Sequence, residues 1–275
     1  YSAQLSNRNL PVAPGDRWLV SLPLYHVAGI GVLFRCLLGG AAVVFSGANE
    51  ELKDAVPKYG VTHVSLVSTQ LYRVLQDESA IQAARGLKAI LLGGGPFSEP
   101  LLRKAHDAGL PIFTSYGLTE TATQVTTTRP GDPLAKLLTS GRPLAPEEVR
   151  ISPEGEIQVR GETLFLGYVD DSRVHRPHTG DGWFATGDLG NWDADGYLRV
   201  TGRRDNMFIA GGENIQPEEI EQRLCRLDGI LQAVVVPVDH SEFGAVPAAF
   251  VRLADHASLD GGALAARLTE ELPKY

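Results

Sequence analysis

Short apolar runs alternate with amphipathic stretches over the first half of the chain, and this alternation is the feature that most constrains the fold. Between the runs, the segments 50–58, 69–77 and 100–108 space their apolar residues as a helix does. The runs themselves have the composition of buried strands: Trp18–Leu22, Ala42–Phe45, Val64–Val67, Ala89–Leu92 and Ile112–Thr114. A strand followed by a helix, repeated, predicts a largely parallel, doubly wound α/β sheet within residues 1–140.

The second half of the chain has a different pattern of apolar and polar residues. From residue 141 to residue 203, short alternating segments are separated by Asp-Gly turns, which predicts a small antiparallel β unit. From residue 204 to residue 275, the pattern predicts a helix, two strands and a second helix: Pro217–Leu227, Gln232–Pro237, Ala248–Leu253 and Leu259–Leu272. The sequence therefore predicts a smaller α+β domain after the sheet and the β unit.

Three polar segments hold the side chains that a nucleotide and a metal ion require: Ser115–Thr121, Thr186–Asp188 and Gly202–Asp205. Tyr116 offers a flat face for a base, and the carboxylate of Glu120 offers the hard oxygen ligands that Mg²⁺ prefers. The segments lie far apart, so a site built from them must gather loops from several elements. Taken alone, the first segment is equally well explained as a polar turn after a buried strand, and Asp188 as an Asx turn.

Five segments, in order, resemble the signature segments of the adenylate-forming superfamily, which includes acyl-CoA synthetases, luciferases and the adenylation domains of peptide synthetases. They are Pro23–His26, Tyr116–Thr121, Gly155–Gly161, Thr186–Leu189 and Gly202–Glu221. A narrower resemblance is to CoA ligases that act on an aryl dicarboxylic acid in menaquinone biosynthesis, and it rests on Ser65–Leu71, Gly93–Gly95, Gly211–Glu219, Val236–Asp239 and Glu242–Gly244. Ser68 departs from that pattern, in which we expect a proline.

The resemblance implies a role for individual residues, with ATP, Mg²⁺ and coenzyme A as the cofactors. Contacts with the nucleotide are implied for Gly93, Gly94, Gly95, Ser115, Tyr116, Gly117, Asp188 and Arg203, the last two at the ribose. Thr119 and Glu120 are implied as catalytic residues, with Glu120 holding Mg²⁺, and His26 as a gate beside the acid carboxylate. For coenzyme A the implied contacts are Gly211 and Gly212, and for the acid Thr69, Gln70 and Leu71. Asp205 is the implied hinge of a mobile C-terminal lid.

Each of these assignments has a structural alternative. A glycine run such as Gly93–Gly95 also serves as a plain connection between a strand and a helix. His26 is equally explained as a histidine whose hydrogen bonds are made within the core. Gly211 and Gly212 are equally explained as a loop before a helix. Thr69 is placed as well for capping a helix N-terminus as for contacting an acid.

Composition excludes some classes of function. The formal net charge is −8, which argues against a nucleic-acid surface that must neutralise phosphates. Cys36 and Cys225 lie far apart and indicate no disulfide framework or metal cluster. The most apolar region, from Val27 to Phe45, is interrupted by Arg35 and by glycines, so we expect no membrane span. These features favour a soluble cytoplasmic protein with small-molecule partners, and they leave homo-oligomerisation open.

The leading hypothesis is an ATP-dependent acid–CoA ligase that forms an acyl adenylate and then a thioester. Alternatives are another acyl-CoA or aryl-CoA ligase, a stand-alone adenylation domain, and a non-catalytic adenylate-binding module. The resemblance places a phosphate-binding loop before Tyr1 and a catalytic lysine after Tyr275. We therefore expect residues 1–275 alone to carry out adenylation poorly.

Overall fold

A computed structural model describes residues 1–47, 49–170, 173–210, 212–241 and 243–254, together with residues 257 and 262. The chain divides into two compact units. The first contains Tyr1–Phe97, Leu101–Thr186 and Asn191–Arg199, and the second contains Ser98–Pro100, Gly187–Gly190 and Val200–Tyr275. The expected helix at 259–272 lies outside the described residues, apart from residue 262. The domain boundaries 1–140, 141–203 and 204–275 stay predictions.

Seven strands form the main sheet. They are β1 (Arg17–Leu19), β2 (Ala42–Val44), β3 (His63–Leu66), β4 (Ala89–Leu92), β5 (Ile112–Leu118), β6 (Thr123–Thr127) and β7 (Arg142–Pro143). Their order is β2-β1-β3-β4-β5-β6-β7. The first five are parallel to one another, whereas β6 and β7 pair antiparallel. All five strands expected from the apolar runs are present, which confirms the largely parallel sheet.

Helices cover both faces of this sheet. They are α1 (Ser2–Asn9), α2 (Val27–Gly39), α3 (Leu52–Tyr59), α4 (Ser68–Val74), α5 (Glu78–Arg85), α6 (Glu99–Asp107) and α7 (Leu134–Leu137). Within β4, Ile90 and Leu92 belong to an apolar cluster with buried residues of α3 to α6. Ala89 and Leu91 belong to a second cluster with α2. Because successive strand residues point to opposite faces, the sheet is doubly wound, as predicted.

The most apolar segment of the chain, Val27–Phe45, contributes α2 and then β2 to this unit. α2 ends at Gly39, and Gly40 follows in the left-handed region with a φ of 67°, a conformation that glycine adopts at little cost. Among the described residues, every helix is too short or too polar to span a bilayer.

The strand order creates a topological switch point at β1. The chain moves from β1 to β2 on one side and continues through β3, β4 and β5 on the other. Ligands of open α/β sheets bind outside the carboxyl ends of the strands at such a point. The segments that leave β1 and β3 are joined there, because Gln70 Nε2 donates a hydrogen bond to the carbonyl oxygen of Ser21 at 2.9 Å.

The antiparallel β unit follows the main sheet. Its strands are β8 (Glu148–Ile151), β9 (Glu156–Arg160), β10 (Tyr168–Asp170), β11 (Arg173–His175), β12 (Phe184–Trp192) and β13 (Leu198–Arg203). Four of them form a sheet in the order β13-β12-β9-β8, and β10 pairs with β11. Two cations lie over the Trp183 ring, the Cζ atoms of Arg150 and Arg160 being 4.1 and 4.6 Å from its centroid. The structure thus confirms the predicted change from parallel to antiparallel strands.

The second unit contains two hairpins and a helix with a core of their own. Its elements after β13 are β14 (Phe208–Ala210), β15 (Glu213–Ile215), α8 (Pro217–Leu224), β16 (Ile230–His240) and β17 (Gly244–Leu253). Ile215, Ile220, Leu224 and Ile230 pack together in its core. The helix begins at Pro217, whose missing N–H costs nothing in a first turn. These elements confirm the α+β composition expected here. The strands β16 and β17 are longer than the segments 232–237 and 248–253 that the sequence indicated.

Candidate active site

The segment that contains Tyr116 emerges from the carboxyl end of the parallel part of β5. The sequence analysis placed Ser115, Tyr116 and Gly117 in a loop, and this was wrong, because β5 continues to Leu118 and pairs antiparallel with β6. The pairing register shifts between Tyr116 and Gly117. A Cβ atom at Gly117 would lie 1.9 Å from the carbonyl oxygen of Thr123. The close approach of the two strands therefore requires glycine at this position.

A one-turn 3-10 helix, Thr119–Thr121, connects β5 to β6. Thr121 is fully buried; its Oγ1 accepts the N–H of Leu118 at 3.0 Å and donates to the carbonyl oxygen of Thr123 at 2.8 Å. The next residue, Ala122, has a φ of 57°, which is uncommon for a residue other than glycine. Thr121 and Ala122 thus shape the turn, while Thr119 is exposed and Glu120 is half-buried.

Glu120 is held at two points by the segment after β9. Its carboxylate Oε1 accepts a hydrogen bond from the Tyr168 hydroxyl at 2.8 Å, and its backbone carbonyl accepts the N–H of Phe165 at 2.7 Å. Desolvation, reinforced by the hydrogen bond to Glu120, raises the pKa of Tyr168 above its usual value. The phenol is therefore a hydrogen-bond donor at neutral pH.

The oxygen atoms of this turn fit a magnesium ion that also takes ligands from a phosphate. Glu120 supplies a carboxylate and Thr119 a hydroxyl, both hard oxygen ligands. In the described part of the chain, no group of three or more histidine, cysteine, aspartate and glutamate side chains is arranged to hold a metal. Mg²⁺ is commonly bound in this way, through one or two carboxylates and the phosphates of a substrate.

The glycine run Gly93–Gly95 follows β4 and lies beside the start of the Tyr116 segment. Ser115 Oγ donates a hydrogen bond to the carbonyl oxygen of Leu92 at 2.7 Å, and a Cβ atom at Gly93 would lie 3.0 Å from that Oγ. Gly94 has a φ of +82°, and no atom lies within 4 Å of a Cβ built at Gly95. The structure therefore brings together the carboxyl ends of β4 and β5, with open backbone at Gly95.

His26 lies immediately before α2 and is exposed. Its ring contacts that of Tyr25, with centroids 4.6 Å apart, and its carbonyl oxygen accepts the N–H groups of Gly29 and Ile30. A Cβ atom at Gly29 would lie 2.1 Å from the carbonyl oxygen of Pro23. Gly29 thus lets the Pro23–His26 segment fold back on the first turn of α2, and the exposed ring of His26 disfavours the core alternative.

The residues assigned to the acid lie on the first turn of α4, which follows β3 at the switch point. Thr69 is exposed, whereas the Gln70 side chain accepts the N–H of Val67 at 3.1 Å and donates to Ser21. Leu71 is fully buried in the first apolar cluster. Ser68, which replaces the expected proline, donates a hydrogen bond to the carbonyl oxygen of Pro96 at 2.7 Å. The acid contacts of these residues stay predictions.

Asp188 and Arg203 form an ion pair in the second unit. Arg203 Nη1 donates to Asp188 Oδ1 at 3.0 Å, and Asp188 is 6% exposed. The expectation that the three polar segments are loops is wrong for Asp188, because it lies within the nine-residue strand β12. Gly187 has a φ of +76°, and a Cβ atom there would lie 3.2 Å from Arg203 Nη2. Arg203 also approaches Asp205, whose Oδ2 is 3.9 Å from Nη2.

The remaining predicted residues of the second unit lie near turns. Asp205 is the middle residue of a 3-10 turn, Arg204–Asn206, between β13 and β14. Gly212, with a φ of +91°, lies in the turn between β14 and β15. Gly211 lies outside the described residues. The coenzyme A and hinge assignments therefore stay predictions.

The structure thus brings the predicted residues into two groups, one in each unit. The first contains the Tyr116–Glu120 segment and Gly93–Gly95, and the second contains Asp188, Arg203 and Asp205. Sequence reasoning missed Tyr168, which contacts Glu120 across 48 positions of the chain. No local pattern around Tyr168 signals that contact.

Comparison with known proteins identifies the family. Residues 1–169 match the model of the AMP-binding enzyme family, and residues 219–275 match that of the AMP-binding enzyme C-terminal domain. The chain therefore belongs to the AMP-binding enzyme family, which confirms the predicted resemblance to adenylate-forming enzymes.

Individual relatives confirm the narrower resemblance. The chain is 34% identical to the 2-succinylbenzoate–CoA ligase of Bacillus subtilis and 37% identical to that of Bacillus velezensis, with 100% of this chain and 58% of each relative covered. The structure of o-succinylbenzoate CoA synthetase from Bacillus subtilis with its acyl-adenylate intermediate matches with a TM-score of 0.85 at 35% identity, covering 100% of this chain and 58% of that one. The structure of the same enzyme with ATP and magnesium ion matches with a TM-score of 0.82 at 34% identity. The match covers 100% of this chain and 59% of that one. The chain spans somewhat more than half the length of these relatives.

Proposed function

We propose that the full-length protein containing this chain is an AMP-forming acid–CoA ligase that activates o-succinylbenzoate in menaquinone biosynthesis. The observation that carries the proposal is that β5 starts its Ser115–Leu118 segment beside Gly93 and leads into a turn with an exposed Thr119 and a half-buried Glu120. Family membership and the ligands named for the relatives, an acyl adenylate and ATP with magnesium ion, support it.

In this proposal each residue makes the nucleotide contact that the family resemblance implies for it. Tyr116 offers its ring face to adenine, and Gly93–Gly95, with Ser115 and Gly117, lets the backbone approach the base. Asp188 accepts hydrogen bonds from the two ribose hydroxyls, and Arg203 holds that carboxylate in place at 3.0 Å. Hydrogen bonds to an ionised carboxylate are stronger than neutral ones, so Asp188 contributes most to the affinity for the ribose.

The first half-reaction forms the acyl adenylate. An oxygen of the acid carboxylate attacks the α-phosphorus of ATP, a P–O bond forms, and the bond to the departing pyrophosphate breaks. Bound Mg²⁺ would neutralise charge on the phosphates, and Glu120 with Thr119 would hold it. His26 positions the acid carboxylate at the switch point, where Thr69 and Gln70 contact the rest of the acid, and the buried Leu71 anchors their turn in the apolar cluster. Phosphoryl transfer of this kind depends mainly on positioning and charge neutralisation.

The second half-reaction transfers the acyl group to coenzyme A. The thiol sulfur attacks the acyl carbon, a C–S bond forms, AMP leaves and the thiol proton passes to solvent. Gly211 and Gly212 offer backbone to the pantetheine arm, and Asp205 acts as the hinge of a domain rotation that precedes this step. The turn position of Asp205 between β13 and β14 supports the hinge assignment.

The test is a panel of carboxylic acids, including o-succinylbenzoate, supplied to the full-length protein with ATP and Mg²⁺. We expect AMP release with o-succinylbenzoate that depends on coenzyme A and yields the thioester. The acid assignment is wrong if o-succinylbenzoate releases no AMP while another acid does. The ligase assignment is wrong if no acid supports AMP release, and that outcome supports a non-catalytic adenylate-binding module.

One observation favours a second candidate, a CoA ligase for a different aryl or acyl acid. Ser68 replaces the expected proline, and its hydroxyl bonds to Pro96 in the segment that follows Gly95. The hydrogen bond ties α4 to the glycine run and changes the chemistry at the edge of the proposed acid site. Thioester formation in the same panel by an acid other than o-succinylbenzoate supports this candidate. Transfer of the acyl group only to a carrier protein indicates a stand-alone adenylation domain.

The proposal includes a cytoplasmic location and small molecules as the partners. Cys36 and Cys225 are both buried free thiols, and unpaired thiols are typical of a reducing compartment. Fractionation of the native cells with an antibody to the chain tests this part, and recovery with an extracytoplasmic fraction contradicts it.

A further inference from the structure

We propose that Tyr168 is a positioning residue that fixes the Glu120 carboxylate in the orientation required for magnesium-bound ATP; this inference rests on the proposed function. The contact that carries it is the hydrogen bond from the Tyr168 hydroxyl to Glu120 Oε1 at 2.8 Å. A second bond, from the N–H of Phe165 to the Glu120 carbonyl at 2.7 Å, comes from the same short segment. The backbone and the side chain of Glu120 are therefore both restrained.

An aromatic cluster holds this segment in place. The Phe165 ring is 4.7 Å from that of Tyr168, 5.4 Å from that of Phe184 and 5.7 Å from that of His178, measured between centroids, and each pair packs edge to face. The Tyr168 hydroxyl thus cannot leave Glu120 by movement of the segment unless the ring packing also breaks. Phe184 begins β12, the strand that also contains Asp188.

The restraint has a chemical consequence because Mg²⁺ requires near-ideal octahedral geometry. A glutamate side chain otherwise samples several rotamers, and selecting one of them weakens metal binding. A carboxylate has about four lone-pair positions on its two oxygens, so one hydrogen bond from a phenol leaves positions on both oxygens for a metal. Tyr168 therefore fixes the orientation of the Glu120 carboxylate and still leaves lone pairs on it to bind Mg²⁺.

The test measures binding rather than turnover. Calorimetry gives the dissociation constant of ATP for the full-length protein, with Mg²⁺ and with EDTA, in the absence of acid and coenzyme A. We expect Tyr168→Phe to weaken ATP binding about tenfold with Mg²⁺, and to leave ATP binding in EDTA unchanged. Equal weakening under both conditions overturns the proposal, because it indicates a general loss of packing. Unchanged binding with Mg²⁺ overturns it as well.

Tyr197 provides a matched control. Its hydroxyl donates to Asp132 Oδ1 at 2.8 Å, and desolvation with this hydrogen bond raises its pKa as it does for Tyr168. Tyr197→Phe therefore removes a tyrosine–carboxylate bond of the same length at a place without a predicted site residue. We expect Tyr197→Phe to leave the ratio of the Mg²⁺ and EDTA dissociation constants as in the unmodified protein. A shift like that of Tyr168→Phe contradicts the specific role.

A double mutant separates this inference from the function on which it rests. We expect Glu120→Gln to abolish the effect of Mg²⁺ on ATP affinity, and Tyr168→Phe to add nothing in the Glu120→Gln background. If Glu120→Gln leaves the Mg²⁺ effect intact, the metal assignment in the proposed function is wrong. If Glu120→Gln abolishes it while Tyr168→Phe does not weaken it, only the role of Tyr168 is wrong.

Discussion

Arg35 donates a hydrogen bond from Nη2 to Gln124 Oε1 at 2.7 Å in the interior of the first unit. Arg35 is 1% exposed, its Nε donates to Ser6 Oγ at 2.9 Å, and its guanidinium lies 5.2 Å from the centroid of the Trp18 ring. Burial lowers the pKa of Arg35 to about 10, so the side chain stays charged at neutral pH. Gln124 pairs with Gly117 across the hairpin, and Arg35 therefore braces the strand opposite the Tyr116 segment.

Replacing Arg35 tests this brace. Arg35→Met is expected to lower the free energy of unfolding by about 1–3 kcal/mol, because the buried oxygen of Gln124 loses its donor. Arg35→Met combined with Gln124→Leu and Ser6→Ala is expected to recover part of that loss, since the side chains that Arg35 and Gln124 bonded are then apolar. Urea unfolding of the three proteins gives the values. Equal stability of Arg35→Met and the unmodified protein contradicts the brace.

Two glycines near the proposed nucleotide site are expected to respond differently to alanine. Gly117→Ala places a methyl group 1.9 Å from the carbonyl oxygen of Thr123, and overpacking of this kind costs about 3 kcal/mol or more. Gly95→Ala meets no atom within 4 Å, so its stability is expected to be unchanged while AMP binding weakens. Thermal unfolding and AMP calorimetry on both variants check this contrast. Equal melting temperatures for the two variants contradict the close strand approach.

The ribose assignment predicts a loss of nucleotide affinity in Asp188→Asn. Hydrogen bonds to a charged group are worth about 1.5–3 kcal/mol, so the dissociation constant for AMP is expected to rise at least about tenfold. Asp195→Asn is the control, since it removes an exposed carboxylate that pairs with Lys136. Calorimetry with AMP compares the two. An Asp188→Asn variant that binds AMP as tightly as the Asp195→Asn control contradicts the assignment.

Glu147 gives the first unit a pH-dependent stability. Burial raises the pKa of this carboxyl above 4.5, against the opposing effect of its hydrogen bond from Thr163 Oγ1 at 2.8 Å. The neighbouring Glu162 raises the pKa further. The folded state therefore binds the proton more tightly than the unfolded state does. The stabilisation that comes from this tighter proton binding is complete below the pKa of Glu147 in the unfolded state. It is lost as the pH rises through the pKa of Glu147 in the folded state.

Glu147→Gln removes this titration. The unfolding free energy of the variant, relative to the unmodified protein, is expected to increase as the pH rises from about 4.5 toward neutrality. Urea unfolding at a series of pH values measures the difference. A difference that stays constant over this range contradicts a raised pKa for Glu147.

The main sheet was predictable because its parallel strands are buried on both faces and appear as apolar runs. Strand β12 was not predictable in this way, because its buried positions include Thr186 and Asp188, which interrupt the apolar alternation. The α5 helix was not predicted, although Asp77 caps it by accepting the N–H of Ser79 at 2.8 Å. Hydrophobic periodicity does not detect strands with buried polar residues or the boundaries that helix-capping residues set.

The candidate site was predictable where a single segment supplies several of its groups, as at Tyr116–Thr121. The contact between Glu120 and Tyr168 was not predictable, because it depends on how the segment after β9 packs on a turn 48 residues earlier in the chain. Ring packing of Phe165 against Phe184 fixes that position, and neither residue shows this partnership in its local sequence.

The Trp183 ring, over which two cations lie, makes the chain suitable for optical study. Trp183 directly precedes Phe184, which packs against Phe165, and the N–H of Phe165 bonds to the Glu120 carbonyl. Any rearrangement of those rings moves the indole relative to the guanidinium groups of Arg150 and Arg160 and alters its fluorescence emission. A native chromophore is thereby expected to respond to events at the proposed metal-binding turn, without an attached label.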